Sequence, residues 1–189
     1  MVAAGFVVHP RFMWLLALNA RDYDAALDIL GDWEKEGYDS KWAYRPKATY
    51  YAMTYQLAGM PDLALPQLHT ARARIEQEME LDAEDPRFWI ALGEVLALLG
   101  EAEAATDLGR QVVALLPRSM DATHRPVFRL GAIMIFVAAG DHDSAIEELD
   151  DYLSAPGEWS IEGLLPDPRL DPIRDDSRFL ALVEKHGRQ

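Results

Sequence analysis

A chain of 189 residues, half of them apolar, is long enough for one domain with a sizeable core and short for two. Its 18 basic and 32 acidic residues leave a formal charge of −14, and from Asp141 onward 13 acids face 5 bases. Such a surface repels nucleic acid and anionic lipid and favours solubility or a basic partner; the lack of cysteine removes disulfides and thiolate metal sites and suits a reducing cytoplasm.

The elements follow from hydrophobic period and caps. The opening stretch, Met1 to Arg21, has no basic residue before Arg11, and His9-Pro10 interrupts its apolar run. It therefore reads as neither a secretory signal nor a membrane span. A first helix pair is predicted over 10–20 and 22–36, ending at Gly37. The second is predicted over 45–58 and 62–81. Pro66 falls inside its second helix, where it removes a hydrogen bond at a cost of about 3 kcal/mol, so a kink or a later start near Leu65 is expected. The third pair is predicted over 86–99 and 102–115 and the fourth over 125–139 and 142–154, with Pro86 and Pro126 at first helical positions. In the tail, Asp167-Pro168 and Asp171-Pro172 each resemble an N-cap followed by proline, so two tight turns are expected. Asp175 or Asp176 then caps a last helix with Phe179, Leu182 and Val183 on its buried face and its stop at Gly187.

Four short stretches repeat: Arg21-Asp-Tyr-Asp-Ala-Ala-Leu27, Gly59-Met-Pro-Asp-Leu-Ala-Leu65, Gly100-Glu-Ala-Glu-Ala-Ala-Thr106 and Gly140-Asp-His-Asp-Ser-Ala-Ile146. Each is a turn, an acidic helix start and a small alanine beside an apolar residue. The alanines 26, 64, 105 and 145 are 38, 41 and 40 residues apart. The acids complement the positive end of the helix dipole, and the small alanine lets two helices approach. A lone pair cannot bury its apolar face, so neighbouring pairs stack.

On these residues the chain resembles the tetratricopeptide repeat family. Trp89, Leu92, Gly93, Leu96, Ala105 and Pro117 fall at the spacing of that family's signature, with Leu96 where the family has Tyr. The second repeat keeps Tyr55 and Ala64, the fourth keeps Phe136 and Ala145, and the first keeps little beyond Ala26. The resemblance implies an all-α fold, a right-handed α-α superhelix of about four helix pairs closed by a C-terminal capping helix. A single domain would hold repeats at about 8–40, 45–82, 86–118 and 125–157, with tail turns and cap over 160–187. The tail string from Asp167 to Phe179, joined to the repeats before it, is similar to C-terminal repeat regions of bacterial multidomain proteins that follow kinase, cyclase, winged-helix or TolB-like domains. This implies a module of a larger signalling or regulatory protein. No kinase signature accompanies it, so no activity is implied.

The residues suggest no catalytic chemistry, metal site or cofactor. No two of His9, His69, His124, His142 and His186 share a metal-ligand spacing on one helix, and neither a phosphate loop nor a nucleophile elbow occurs. Glu76, Glu78 and Glu80 read as a solvated face, because a di-metal bundle would also need Glu-x-x-His on other helices. The acids Asp141, Asp143, Glu147, Glu148, Asp150 and Asp151 read as a strip for a basic peptide or as an ordinary exposed helix. Tyr44, Tyr51 and Tyr55, with Trp42 before them, read as core packing on the first helix of pair two or as one wall of a groove.

The tetratricopeptide register implies a concave surface lined mainly by the first helix of each pair. Its residues would be Arg11, Leu15, Leu18 and Asn19; Thr49, Met53, Gln56 and Leu57; Arg87, Ile90, Glu94 and Leu98; and Val127, Leu130, Met134 and Val137. This set is mostly apolar and departs from the Lys/Asn/Arg clamp by which some family members hold a chaperone's terminal carboxylate. An apolar groove of that size should not stay bare in water. The expected function is a non-catalytic protein-interaction scaffold that binds a peptide or helix, with self-association or occupancy by the segment Val2–Val8 as other fillings of the groove. The alternative is a sensor that takes a small apolar ligand there, and a deep closed pocket lined by Met53, Leu130 and Met134 would favour it.

Overall fold

The computed structural model describes residues 8–115, 125–155 and 160–187. The described residues fold as helices apart from one small hairpin. The elements are α1 (Pro10–Asn19), α2 (Tyr23–Asp32), β1 (Gly37–Asp39), β2 (Tyr44–Pro46), α3 (Lys47–Leu57), α4 (Pro61–Met79), α5 (Pro86–Leu98), α6 (Ala102–Leu115), α7 (Arg125–Ala139), α8 (His142–Leu153), α9 (Ile161–Leu164), a 3-10 helix (Pro168–Ile173) and α10 (Ser177–His186). Each helix from α1 to α8 packs on the next, and α5 also packs directly on α7. Pro117, His124 and the segment up to Val7 lie outside the described residues.

The four repeated stretches turn in the same way. Arg21, Gly59, Gly100 and Gly140 take the left-handed conformation, with φ of 56°, 75°, 83° and 81°. In each case the next N–H returns to the carbonyl five residues back: Asp22 to Ala17, Met60 to Tyr55, Glu101 to Leu96 and Asp141 to Phe136, all at 2.8–2.9 Å. This closes the first helix of each pair with a Schellman-type stop and aims the chain into the second. Asp22 and Asp141 then cap the second helices through the N–H of Ala25 and Ser144. A Cβ at Gly100 would meet no other atom within 4 Å. Gly100→Ala is therefore expected to cost only the left-handed strain, about 1 kcal/mol, read as a lower urea midpoint at unchanged slope.

Small residues set the helix spacing. A Cβ at Gly93 on α5 would lie 2.6 Å from Ile135 of α7, and one at Gly131 on α7 would lie 2.8 Å from Ile90 of α5. Ala26, Ala64, Ala105 and Ala145 are all buried. The apolar faces collect into clusters that run from an aromatic knot of Trp14, Trp33 and Tyr50 at one end to Phe128, Phe136, Tyr152 and Phe179 at the other.

Three expectations are corrected. Helix α2 stops at Asp32 and α3 starts at Lys47, because residues 37–39 and 44–46 form an antiparallel hairpin, with Gly37 opposite Pro46 and Asp39 opposite Tyr44. Tyr44 thus lies on a strand and not on the first helix of pair two. Only glycine fits at position 37, where a Cβ would come 2.4 Å from the Arg45 carbonyl. Helix α4 starts at Pro61, not Leu65, and continues through Pro66. Proline in the second turn deprives only the Asp62 carbonyl, on an exposed residue that water can serve. Asp171-Pro172 makes no second turn. Asp167 caps the 3-10 helix through the Arg169 N–H, and Asp171 and Pro172 lie inside that helix.

The tail does more than close the end. Asp176 caps α10 through the Arg178 N–H, and α10 packs on α8 with Phe179 and Leu182 buried. The 3-10 helix packs on α7, and Asp171 holds Arg21, in the first turn of the chain, by two bonds of 2.8 and 2.9 Å. The C-terminal tail therefore reaches back to the first helix pair. No described helix is long and apolar enough to cross a membrane.

Candidate functional site

A cleft of two lobes lies between the first helices of the pairs, the hairpin and the tail. The smaller lobe, about 150 Å³, is walled by Trp14, Tyr38, Trp42, Tyr44, Ile90 and Leu130 and carries the side chains of Arg11, Arg45, Arg87 and Arg169. The larger, about 440 Å³, is lined mainly by Met53, Leu57, Ala97, Leu98, Ala138, Pro168 and Pro172, with Gln56 and Asp171 as polar members. The lobes meet at Glu94, Met134 and Arg169, which line both.

Most of the residues expected in the groove come together here. Arg11, Leu15, Asn19, Arg87, Ile90, Val127 and Leu130 line the smaller lobe, Met53, Gln56, Leu57 and Leu98 the larger, and Glu94 and Met134 both. Leu18, Thr49 and Val137 do not: they are buried in the core, with Leu18 and Thr49 wholly inaccessible, because their helices turn these positions toward a neighbour. The cleft is also less apolar than expected, because the hairpin and the tail supply walls that helix register does not foretell. The aromatic expectation divides. Trp42 and Tyr44 line the smaller lobe, Tyr51 and Tyr55 stack on each other at 6.1 Å outside it, and the tyrosine at the heart of the cleft is Tyr50.

Buried charges organise the floor. The Arg45 guanidinium, on β2, donates through Nε to Glu94 at 2.9 Å and through Nη2 to the other oxygen of the same carboxylate. Glu94 is 3% exposed. Burial pushes the Arg45 guanidinium toward neutrality, but the Glu94 charge more than offsets this and leaves it above the usual arginine range. Asp167 and Arg169 form a second fork, with Nε bonds of 2.9 and 3.1 Å. Burial raises the Asp167 carboxyl, yet the Arg169 charge and hydrogen bonds hold it below the ordinary 3.8. Arg169 also feels Arg45 and Glu94, so two ion pairs from three elements act as one group.

A local motif underlies two of these arginines and recurs at Arg178, outside the cleft. Asp85-Pro86-Arg87, Asp167-Pro168-Arg169 and Asp176-Ser177-Arg178 each use the aspartate twice, to cap the helix through the arginine N–H and to grip the same arginine's guanidinium. At α1 the sequence is His9-Pro10-Arg11. Nδ1 of His9 accepts the Arg11 N–H at 3.2 Å, and among the described residues no carboxylate grips the guanidinium. Arg11 instead lies over the rings of Phe12 and Tyr38, at 4.6 and 4.5 Å.

Among the described residues, the Tyr50 hydroxyl and the Asn19 Oδ1 are buried on the smaller lobe and find no hydrogen-bond partner of good geometry. Burial raises the Tyr50 phenol above its usual range, against the pull of Arg45 and Arg11, so it stays a neutral donor. Its hydroxyl lies beside Arg45 but makes no bond of good geometry.

Elsewhere the acidic residues serve the fold. Arg72 pairs with Glu76 and Arg74 with Glu78 along α4. On α8, Asp141 meets Arg110, Asp143 meets Arg178, Glu148 and Asp151 meet Arg129, and Asp150 meets Lys185 and His186. This weakens the reading of α8 as a strip for a basic peptide. Among the described residues no three or more His, Asp or Glu side chains group as a metal site.

These pairs set an acid limit. The carboxyls of Asp85, Asp141, Asp150, Asp167 and Asp171 sit below their ordinary value, and the Arg178 hydrogen bond takes Asp176 down to about 2. Their folded pKa values are depressed, so the unfolded chain binds protons first as pH falls. Stability is expected to hold from neutral pH to about pH 4.5 and to drop steeply between about pH 4 and pH 2, measured as urea midpoints across that range. A midpoint that stays level down to about pH 2 would show that the pairs contribute little.

Comparison with known proteins leaves this geometry to speak for itself: no family model, no curated protein and no solved structure matches the chain.

Proposed function

We propose that the chain is a non-catalytic binding module, built of tetratricopeptide-like helix pairs, that takes a compact apolar ligand in the two-lobed cleft. The observation that carries this reading is the apolar lobe of about 440 Å³, with Met53 and Met134 in its lining and Pro168 and Pro172 of the tail across it. An apolar cavity of about 150 Å³ takes a benzene ring, so this lobe has room for a chain of about ten carbons or more, but not for a helix about 10 Å across. Methionines suit such a site because their flexible thioethers adapt to the guest. The repeated left-handed turns, the buried alanines and the Gly93–Ile135 approach support the tetratricopeptide likeness. The likeness of the tail to C-terminal repeat regions supports a place in a larger bacterial regulatory protein.

The protein-scaffold reading also has an observation behind it. Val8, Phe12, Met13 and Leu16 leave an apolar face of α1 exposed, with Leu16 63% accessible. A scaffold would use that face and leave the cleft empty.

Nile red, a neutral apolar dye, separates the two. It is expected to bind the chain with enhanced fluorescence, and Ala138→Trp, which fills the larger lobe from an exposed position, is expected to abolish the effect without changing the circular dichroism spectrum. Dye binding that survives Ala138→Trp but is lost in Leu16→Glu would move the function to the α1 face.

A further inference from the structure

We propose that the smaller lobe is a head-group site for a carboxylate, so that the ligand of the cleft is a free monocarboxylic acid whose apolar chain lies in the larger lobe. The inference rests on the cleft being a ligand site and adds the ligand's charge.

Three independent features converge on one sign. The first is Arg11. In Asp-Pro-Arg at α5 and at the 3-10 helix, the aspartate consumes its own arginine's charge; in His-Pro-Arg at α1 the same position is left without a carboxylate, and its guanidinium lines the lobe. The second is Tyr50, a wholly buried phenol on the wall of the lobe whose O–H finds no acceptor. A buried donor without an acceptor is costly, and a ligand oxygen would relieve it. The third is the start of α1. Arg11 is the second residue of that helix, so its first turn borders the lobe. Aspartates already cap α5 and the 3-10 helix, whereas α1 is capped by His9, so its positive end favours an anion beside Arg11.

The chain's net charge of −14 does not oppose this. At physiological salt the screening length is about 8 Å, so distant surface acids are damped while Arg11 and Tyr50 act at contact. Glu94 and Asp167 line the lobe, but each is held in a fork by Arg45 or Arg169. Asn19 can turn its amide over and present its NH2 group to the same anion. The aromatic walls Trp14, Tyr38 and Trp42 exclude water and strengthen each of these bonds. A carboxylate fits the small lobe better than a bulkier phosphate, which would also bring about two charges against one uncompensated guanidinium. The shared wall at Glu94, Met134 and Arg169 leads from the head-group lobe to the apolar one.

The test is calorimetric titration of the full chain with octanoate, decanoate and dodecanoate, each paired with the alcohol of equal length. The acid is expected to bind about tenfold or more tighter than its alcohol, as a charge-assisted bond implies. Arg11→Gln and Tyr50→Phe are each expected to remove most of that preference while alcohol binding persists. Tyr50→Phe removes a hydroxyl that lies beside Arg45 without a well-formed bond, and an unchanged circular dichroism spectrum and urea midpoint would show that its fold is kept. Equal binding of acid and alcohol overturns the head-group site and leaves the cleft reading intact. Binding of neither overturns both. A leucine-terminated peptide that binds through its free carboxylate where the acids do not would overturn the small-molecule assignment.

Discussion

Glu94→Gln is expected to destabilise the protein by about 3 kcal/mol, because it leaves a buried cation without its counter-charge. Glu94 is almost fully enclosed and receives both arms of Arg45. Taking two charges out of water costs several kcal/mol per ion, and their mutual attraction recovers most of that only while both remain. Loss of one partner from a buried pair costs about 3–5 kcal/mol; the lower end applies here because the Arg45 side chain keeps 18% of its surface in contact with solvent. The neighbouring Arg169 adds like charge to the orphan. The double variant Glu94→Gln, Arg45→Met should recover most of the loss, since a matched apolar pair can replace a buried ion pair at little cost. Urea midpoints of the two single variants and the double complete the cycle. A loss under about 1 kcal/mol for Glu94→Gln would show that the pair behaves like an exposed salt bridge.

Phe179→Ala should cost about 3–5 kcal/mol, the usual toll for emptying a large aromatic site that cannot collapse. Phe179 is 1% exposed and belongs to the same core cluster as Ile161, Leu164, Leu170 and Ile173, so it holds α10 on a core that α9 and the 3-10 helix share. The effect should not stay local to stability. Pro168, Arg169 and Pro172 form part of the cleft, so a loosened tail opens it. Amide exchange across 161–186 is expected to rise in the variant, and Nile red binding to fall with it. If exchange rises equally along the whole chain, the tail is not a separable unit but part of one cooperative core.

The difference between these two sites shows how far the residues alone carry the reading. Glu94 was legible as a cleft residue, since the register implied by the tetratricopeptide resemblance places it on one face with Ile90, four residues earlier. Arg45 was not. It lies on a hairpin whose signal is short: β-favouring Tyr38 and Tyr44 flank a tight turn from Ser40 to Ala43, in the short gap between two predicted helices. Arg169 was visible as part of the Asp-Pro tail, but nothing local says that the tail folds back beside α5 and α7. Tyr50 was overlooked because its neighbours Tyr51 and Tyr55 match the helical spacing better, and only the packed knot with Trp14 and Trp33 shows which tyrosine is inside.

What the chain determined by itself is local: helix lengths from the apolar period, stops at Gly59, Gly100 and Gly140, caps at Asp22, Asp85, Asp141 and Asp176, and the small alanines that permit close pairs. These depend on interactions within a few residues, which are printed in the order of the amino acids. The tertiary structure alone decided that residues 37–39 and 44–46 pair as a hairpin, that Leu18 and Thr49 face the core, and that Arg21 meets Asp171 150 positions away. It also decided that Arg45, Glu94, Asp167 and Arg169 share one buried site. Those contacts join distant segments, and their energies exist only once the apolar faces of all the pairs have been removed from water together.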